Sequence, residues 1–274
     1  MIIIEPFGGL ANRMRVIASG LWLQKQLQCN LICLWSENSE LNAPYNQLFE
    51  NIDGLIVKPK AGKYKYVKLS KQRNLIAKQA VKIINNLLGV DYCIKDQYFA
   101  QLTQDEKFGI QEIAAKWNNI YIQTCEEFGD NYAEFQKFIP LPQLKEKINF
   151  VESQFANQTI GLHIRRTDNA ESIKFSPLEL FTDTITLEIS KNKDVAFFLS
   201  TDDYTIEKEL IAKFGDRIIT HQKELSRQTV TGMQDAVVDL FCLSNTSKIY
   251  GSYWSSFSDI AARIGKISFC VLKI

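Results

Sequence analysis

Three polar clusters in the C-terminal half follow short apolar runs, and their residue types suit the binding of an anion. The first is Gly161-Leu162-His163-Ile164-Arg165-Arg166-Thr167-Asp168. Two adjacent arginines after an apolar run are poor core material, whereas a guanidinium fork donates two charge-assisted hydrogen bonds to one phosphate. Asp168 could orient an arginine by pairing with it. A surface ion-pair cluster explains the arginine pair at least as well. His163, inside the run, fits a satisfied interior histidine better than a base.

The second cluster is Ser200-Thr201-Asp202-Asp203, after Val195 to Leu199. Two carboxylates there can bind a metal, orient a base or recognise hydroxyls; alternatively, Asp203 caps the next helix. No D-x-D pair occurs in the chain, which removes a common means of holding a diphosphate through a divalent ion. The third cluster is Gly251-Ser252-Tyr253-Trp254-Ser255-Ser256-Phe257-Ser258. Free backbone N–H groups and hydroxyls at a helix start bind anions. Ordinary serine capping, with Asp259 three residues after Ser256, fits the same residues. In the N-terminal half Gly8, Gly9 and Asn12 form a matching device, but their spacing is not the G-x-G-x-x-G of nicotinamide sites. Asp239 interrupts Ala236-Val237-Val238 and Leu240-Phe241, with Asp235 one turn earlier. The pair reads as a solvated stripe; a functional Asp239 would accept hydrogen bonds from the amide and amine edge of a nucleobase.

The elements that must position these residues follow from periodicity. Ile2-Ile3-Ile4 is a buried strand and Pro6 to Gly9 a break. Leu10, Met14, Ile17 and Leu21 recur at helical spacing, and Leu31 to Leu34 is a second strand, giving a βαβ unit. Residues 40 to 150 are less regular, with a helix over Asn74 to Leu88, a strand over Asn119 to Thr124, and a linker near Phe138 to Pro142. A helix after the linker runs up to about Asn157. Beyond it, strands are expected at Thr159–Ile164, Val195–Ser200, Arg217–Thr220, Lys248–Tyr250 and Ile267–Leu272. Helices open at Ser176-Pro177-Leu178-Glu179 (a capping box with proline at its first position), carry Ile206, Leu210 and Phe214 up to Gly215, and run from Asp235 to Ser244 and from Ser256 to Ile264, closed by Gly265. This alternation predicts a doubly wound parallel sheet, which binds ligands beyond the carboxyl ends of its strands. At 274 residues, two domains are expected, residues 1–150 and 151–274.

Composition bounds the function. The chain is 46% apolar and 11% aromatic, so it has the apolar surface to fold. Lys plus Arg number 32 and Asp plus Glu 31, giving a net charge of +1, without the basic excess that nucleic acid or an anionic membrane surface would select. There are six cysteines, none in a C-x-x-C pair, and two histidines, so no zinc motif exists. No signal-like N-terminus and no apolar run of roughly 20 residues occurs. A soluble, reduced, cytoplasmic protein is expected.

In their common order, the H-x-R-R-x-D string His163 to Asp168, Ser200 to Asp203, Asp239-Leu240-Phe241-Cys242-Leu243-Ser244 and Ser255-Ser256-Phe257-Ser258 resemble the superfamily of GDP-fucose-dependent fucosyltransferases. That superfamily includes the α-1,2, the α-1,6 (rhizobial Nod-factor type among them) and the protein O-fucosyltransferases. Phe7-Gly8-Gly9-Leu10-Ala11-Asn12-Arg13-Met14 is similar to its N-terminal glycine loop, whereas residues 40 to 150 match nothing recognisable. The resemblance implies a GT-B-like α/β fold, two Rossmann-like domains with parallel doubly wound sheets facing a cleft. It also implies transfer from a GDP-sugar with inversion, and no cofactor or metal. Carried over by position, Arg165 would bind the β-phosphate, with Arg166 and Asp168 holding its loop. Asp239, with backbone near His163, would read guanine. Ser255 or Ser256 would contact the diphosphate, Asp202 and Asp203 would shape the donor pocket, and Gly8, Gly9 and Asn12 would line the opposing lip. Without a metal, preorganised cations and helix N-termini must stabilise the departing charge. Asn169 stands where the α-1,6 branch has a lysine, and the acidic base of that branch has no counterpart at its spacing; Glu171 is the nearest carboxylate. The acceptor implied is a glycan or a lipid-linked oligosaccharide on the cytoplasmic side, as in bacterial surface-polysaccharide assembly, which would bring the chain to the periphery of the inner membrane. Two alternatives are a transferase with another nucleotide-sugar donor and a non-catalytic nucleotide-sugar-binding module.

Overall fold

A computed structural model describes residues 1–59, 89–99, 101–167 and 169–274. The helix expected over Asn74 to Leu88 lies outside the described residues, as does Asp168. The chain divides into two compact units: Met1–Asn46 with Glu50–Phe138, and Gln47–Phe49 with Ile139–Ile274. The division therefore falls at the proline-containing linker rather than at residue 150.

Among the described residues, the first unit holds β1 (Ile2–Pro6), α1 (Leu10–Leu27), β2 (Leu31–Trp35), β3 (Leu55–Pro59), β4 (Tyr92–Lys95), three short helices α2 (Asp96–Phe99), α3 (Gln104–Phe108) and α4 (Ile110–Ala114), and β5 (Ile120–Thr124). Its five strands are parallel in the order β3-β2-β1-β5-β4. Every residue of β1 and β2 is buried, as expected for central strands of a parallel sheet covered on both faces. The edge strand β3 is half exposed.

The second unit holds α5 (Pro142–Glu152), β6 (Thr159–Ile164), α6 (Ala170–Phe175), α7 (Leu178–Lys191), β7 (Ala196–Thr201), α8 (Tyr204–Phe214), β8 (Ile218–Ile219), α9 (Val230–Ser244), β9 (Lys248–Ser252), α10 (Ser256–Gly265) and β10 (Ser268–Leu272). Its sheet is again parallel, in the order β10-β9-β6-β7-β8. From β6 the chain winds outward through β7 and β8, then crosses to β9 and β10 on the other side. The strand order thus reverses at β6 and β9, which opens a crevice at their carboxyl ends. Ile160, Leu162, Phe197 and Leu199 pack with Phe181 and Ile185 of α7 and Leu210 of α8 into the core that fixes those strand ends.

Several local expectations are corrected. No capping box opens α7: Pro177 is the N-cap, with no side-chain cap bond. The Ser176 hydroxyl instead donates to the Leu272 carbonyl and accepts from the Tyr253 N–H. The strand expected over Arg217 to Thr220 shrinks to Ile218–Ile219, because a 3-10 turn occupies Gly215–Arg217. Helix α9 begins at Val230, with Thr229 capping it, rather than at Asp235. The solvated stripe is overturned, since Asp235 and Asp239 are both buried. Lys147 and the Glu224 N–H satisfy Asp235. Among the described residues, no helix is long and apolar enough to cross a membrane.

Candidate functional site

At the β6 end of the second unit the three clusters come together. His163, the fifth residue of β6, is buried; its Nδ1 lies 2.6 Å from the Ser258 hydroxyl of α10, and its ring stacks on Phe257. Burial, with Arg165 adding repulsion, pushes its pKa down to about 4. The imidazole is therefore neutral at physiological pH, and its interior placement suits a wall of the site rather than a base.

The chain leaving β6 is organised by one carboxylate. Asp202, just beyond β7, accepts the N–H of Arg166 at 2.7 Å, the N–H of Thr167 at 3.3 Å and the Thr167 hydroxyl at 2.7 Å. Its Oδ2 also lies 3.2 Å from Nε of Arg165. Burial raises the Asp202 pKa, but Arg165 and these hydrogen bonds outweigh it and hold the carboxyl below its ordinary value. The Arg165 N–H donates to the Ser252 hydroxyl of β9 at 3.1 Å, which ties the β6 exit to the neighbouring strand across the crevice. Arg166 turns inward, donating from Nη1 to the Arg165 carbonyl and from Nη2 to the Ser176 carbonyl. Of the two arginines, Arg165 therefore keeps its guanidinium at the strand end while Arg166 fixes the loop.

Asp203 does not join this cluster; its side chain accepts the Thr205 N–H at 2.7 Å and caps α8. Ser255 is the N-cap of the ten-residue α10, in extended backbone with no side-chain cap bond, and Ser256 is the first helical residue. The start of this helix offers N–H groups and the positive end of its dipole. Glu171 is exposed in the first turn of α6, whose N-cap is Asn169.

Asp239 occupies a second, buried cluster beyond β7. Its Oδ2 accepts from the Ser200 hydroxyl at 2.9 Å and from the Lys223 ammonium at 2.9 Å, and its Oδ1 lies 2.7 Å from Nε2 of His221. Burial would raise its pKa, yet Lys223 and His221 together bring it below the ordinary carboxylate value. Both oxygens are thus engaged by side chains, so the carboxylate is not an open acceptor pair for a base edge. Lys223 and His221 escaped the sequence reading, because Thr220-His221-Gln222-Lys223-Glu224 has the look of a solvated loop and shows no sign of its partner.

In the first unit, Gly8 adopts φ +83, a left-handed conformation suited to glycine, and a side chain there would meet Asn12 at 2.7 Å. Gly9 is the N-cap of α1 and, being glycine, makes no side-chain cap bond. The loop is anchored by Arg13, which is 0% exposed. Arg13 donates to the Gly8 carbonyl at 2.8 Å, the Ser36 carbonyl at 2.5 Å and Asn38 Oδ1 at 3.0 Å, and lies over the Trp35 ring. Glu40 accepts the Gly8 N–H at 2.9 Å. The only sequence sign of Arg13's role was a charge in the apolar first turn of α1.

No protein-family profile matches the sequence, and no curated protein matches it. Solved structures do. The NodZ alpha-1,6-fucosyltransferase soaked with GDP-fucose superposes with a TM-score of 0.62 at 15% identity, over 96% of this chain and 92% of that one. A variant of Arabidopsis thaliana FUT1 in complex with GDP gives a TM-score of 0.64 at 14% identity, over 99% of this chain and 69% of that one. POFUT1 in complex with GDP gives 0.58 at 13% identity, over 100% and 98%. The chain has the same GT-B-like α/β fold, built on two parallel five-stranded sheets, as these fucosyltransferases.

Proposed function

We propose that the chain is an inverting fucosyltransferase, moving L-fucose from GDP-fucose to a hydroxyl of a glycan or lipid-linked oligosaccharide without a metal. The observation that carries the reading is the placement of Arg165, its guanidinium at the β6 exit held by Asp202 and its N–H by Ser252, where the strand order reverses. The fold shared with proteins crystallised with GDP and GDP-fucose supports it. In this reading the acceptor oxygen attacks the anomeric carbon as the bond to GDP breaks on the opposite face. Arg165 and the N-terminal amides of α10 at Ser255 and Ser256 stabilise the negative charge growing on the diphosphate, as preorganised donors do. Arg166 and Asp202 hold that geometry. Glu171, exposed beside the motif, takes the proton from the acceptor hydroxyl. An acceptor on a lipid carrier places the work at the cytoplasmic membrane face.

The test is Arg165→Ala, assayed for fucose transfer and for GDP release without acceptor. Loss of both by about a hundredfold or more, with an unchanged fold, is expected for the removal of such a donor; an active, well-folded variant overturns the reading. Because the Asp239 carboxylate is already engaged, a donor with a different base is the second reading. Thermal-shift titrations with GDP and UDP, with and without EDTA, separate the two: GDP-selective stabilisation that survives EDTA supports the first.

A further inference from the structure

Trp254 stands out in the turn between β9 and α10. It is 70% exposed, the largest fractional exposure of any described tryptophan, and its backbone adopts φ +58. A bulky residue in the left-handed region costs free energy and persists only where its surroundings over-determine it, which points from strain to use. The surroundings here do so. The Trp254 carbonyl accepts from Asn169 Nδ2 at 3.0 Å, the Tyr253 carbonyl from the Ser172 hydroxyl at 2.6 Å, and the Tyr253 N–H donates to Ser176. Beneath the turn, the Tyr253 ring lies 5.7 Å from the Trp254 ring and packs edge-on against Phe175 at 5.5 Å. The indole is thus presented to solvent on a fixed aromatic base.

Its neighbours decide what it would bind. Asn169 holds Trp254 with its amide nitrogen and, with its amide oxygen, accepts the Ser172 N–H that caps α6. One side chain therefore ties the Trp254 backbone to the turn carrying Glu171. On the other side the chain passes directly into Ser255 and Ser256. An indole stacks on flat apolar faces while polar groups around it take hydrogen bonds, and a pyranose ring has an apolar face of C–H groups with hydroxyls at its rim. Resting on the fucosyl-transfer reading above, we infer that Trp254, on its Tyr253 and Phe175 base, is the stacking platform for a sugar ring of the acceptor glycan, next to the α6 turn that carries Glu171.

The test is intrinsic tryptophan fluorescence, titrated with lactose, N-acetyllactosamine and chitotetraose at millimolar concentration. At least one should change the emission saturably in the native protein, and the change should vanish in Trp254→Gly, a substitution that suits φ +58 and so keeps the turn. Trp254→Phe should retain binding, followed by calorimetry with that sugar, within about tenfold. Overturning results are no saturable change with any of the three, the same change in Trp254→Gly, or a response to GDP alone, which would make the indole a nucleotide platform. A parallel GDP thermal shift keeps the two readings apart: its absence in the native protein counts against the donor reading, whatever the sugars do.

Discussion

Lys223, its side chain 1% exposed, places its ammonium 2.9 Å from Oδ2 and 3.2 Å from Oδ1 of Asp239, 16 residues on in sequence and inside α9. The same ammonium lies 3.4 Å from the Leu199 carbonyl, so the pair closes the carboxyl end of β7. A buried ion pair is sustained by mutual attraction in a low dielectric, and removing one member leaves the other uncompensated. Asp239→Ala should therefore destabilise the chain by about 3–5 kcal/mol. The double substitution Asp239→Leu with Lys223→Met should cost much less. Urea melts of the single and double variants check this; equal losses would mean that the pair is not coupled.

Asp202 predicts a pH dependence at the acid end. Its carboxyl sits below its unfolded value because Arg165 and the loop hydrogen bonds outweigh burial. A depressed carboxyl stabilises the fold above the unfolded value of about 3.9 and loses that contribution as pH falls through the lower folded value. Asp202→Asn removes this term, so its melting temperature should approach that of the native chain at low pH. Near neutral pH the variant should melt lower and, on the donor reading proposed above, bind GDP less tightly, because the Arg165 loop is no longer held.

His163 acts in the same direction but in a window nearer neutrality. Its folded pKa of about 4 lies below the unfolded value of 6.5. Below pH 6.5 the unfolded chain takes up a proton that the native chain refuses, so stability falls with pH until about pH 4 and then levels. A shift of this size amounts to about 2 kcal/mol lost by pH 5. His163→Gln should flatten the native profile between pH 6.5 and 5 in parallel urea titrations. An unchanged slope would contradict the neutral buried imidazole.

The sequence made the central strands legible and hid the long-range pairs. Continuous apolar runs such as Ile2–Ile4 and Ile160–Leu162 declare buried parallel strands, and the glycine and arginine clusters follow them because loops at strand ends are where polar groups fit. Helical periodicity shows on which face Asp239 and Asp235 lie but not who meets them there. Lys223 and Lys147, their partners, come from separate elements, so burial of the two aspartates had no local signal. Asp203 was legible as a cap by position alone, whereas Asp202 beside it gained its role from a loop 35 residues away in sequence. The half-exposed β3 and the short β4 lack an apolar run to announce them.

Arg13 fixes the glycine loop of the first unit from inside. Its guanidinium serves three oxygens, including the Gly8 carbonyl, while lying over Trp35. Hydrogen bonds to a charged donor contribute about 1.5–3 kcal/mol each, and a deletion leaves the buried acceptors unsatisfied. Arg13→Met should cost about 3 kcal/mol or more and lower the melting point by several degrees. Glu40→Gln, which keeps an oxygen for the Gly8 N–H, should change stability by less than 1 kcal/mol, as exposed substitutions usually do. Calorimetric melts of the two variants distinguish a loop held by Arg13 from one held by Glu40.

Gly251 of β9 faces Ser258 of α10. A Cβ added there would fall 2.3 Å from the Ser258 hydroxyl oxygen, 2.8 Å from Ser258 Cβ and 2.8 Å from the Phe269 ring. Ser258 is fully buried and its hydroxyl meets His163 Nδ1, so it cannot move without disturbing the wall of the site. Gly251→Ala should therefore destabilise by about 1–3 kcal/mol, the usual cost of overpacking. On the proposed donor reading it should also weaken GDP binding, because Ser252, which holds the Arg165 N–H, is the next residue. Removing the hydroxyl relieves only the closest of the three contacts. Gly251→Ala combined with Ser258→Ala should thus be less destabilised than the sum of the two single variants, a non-additivity expected of residues in contact. Strict additivity in the urea melts would show that the backbone, rather than Ser258, absorbs the added methyl group.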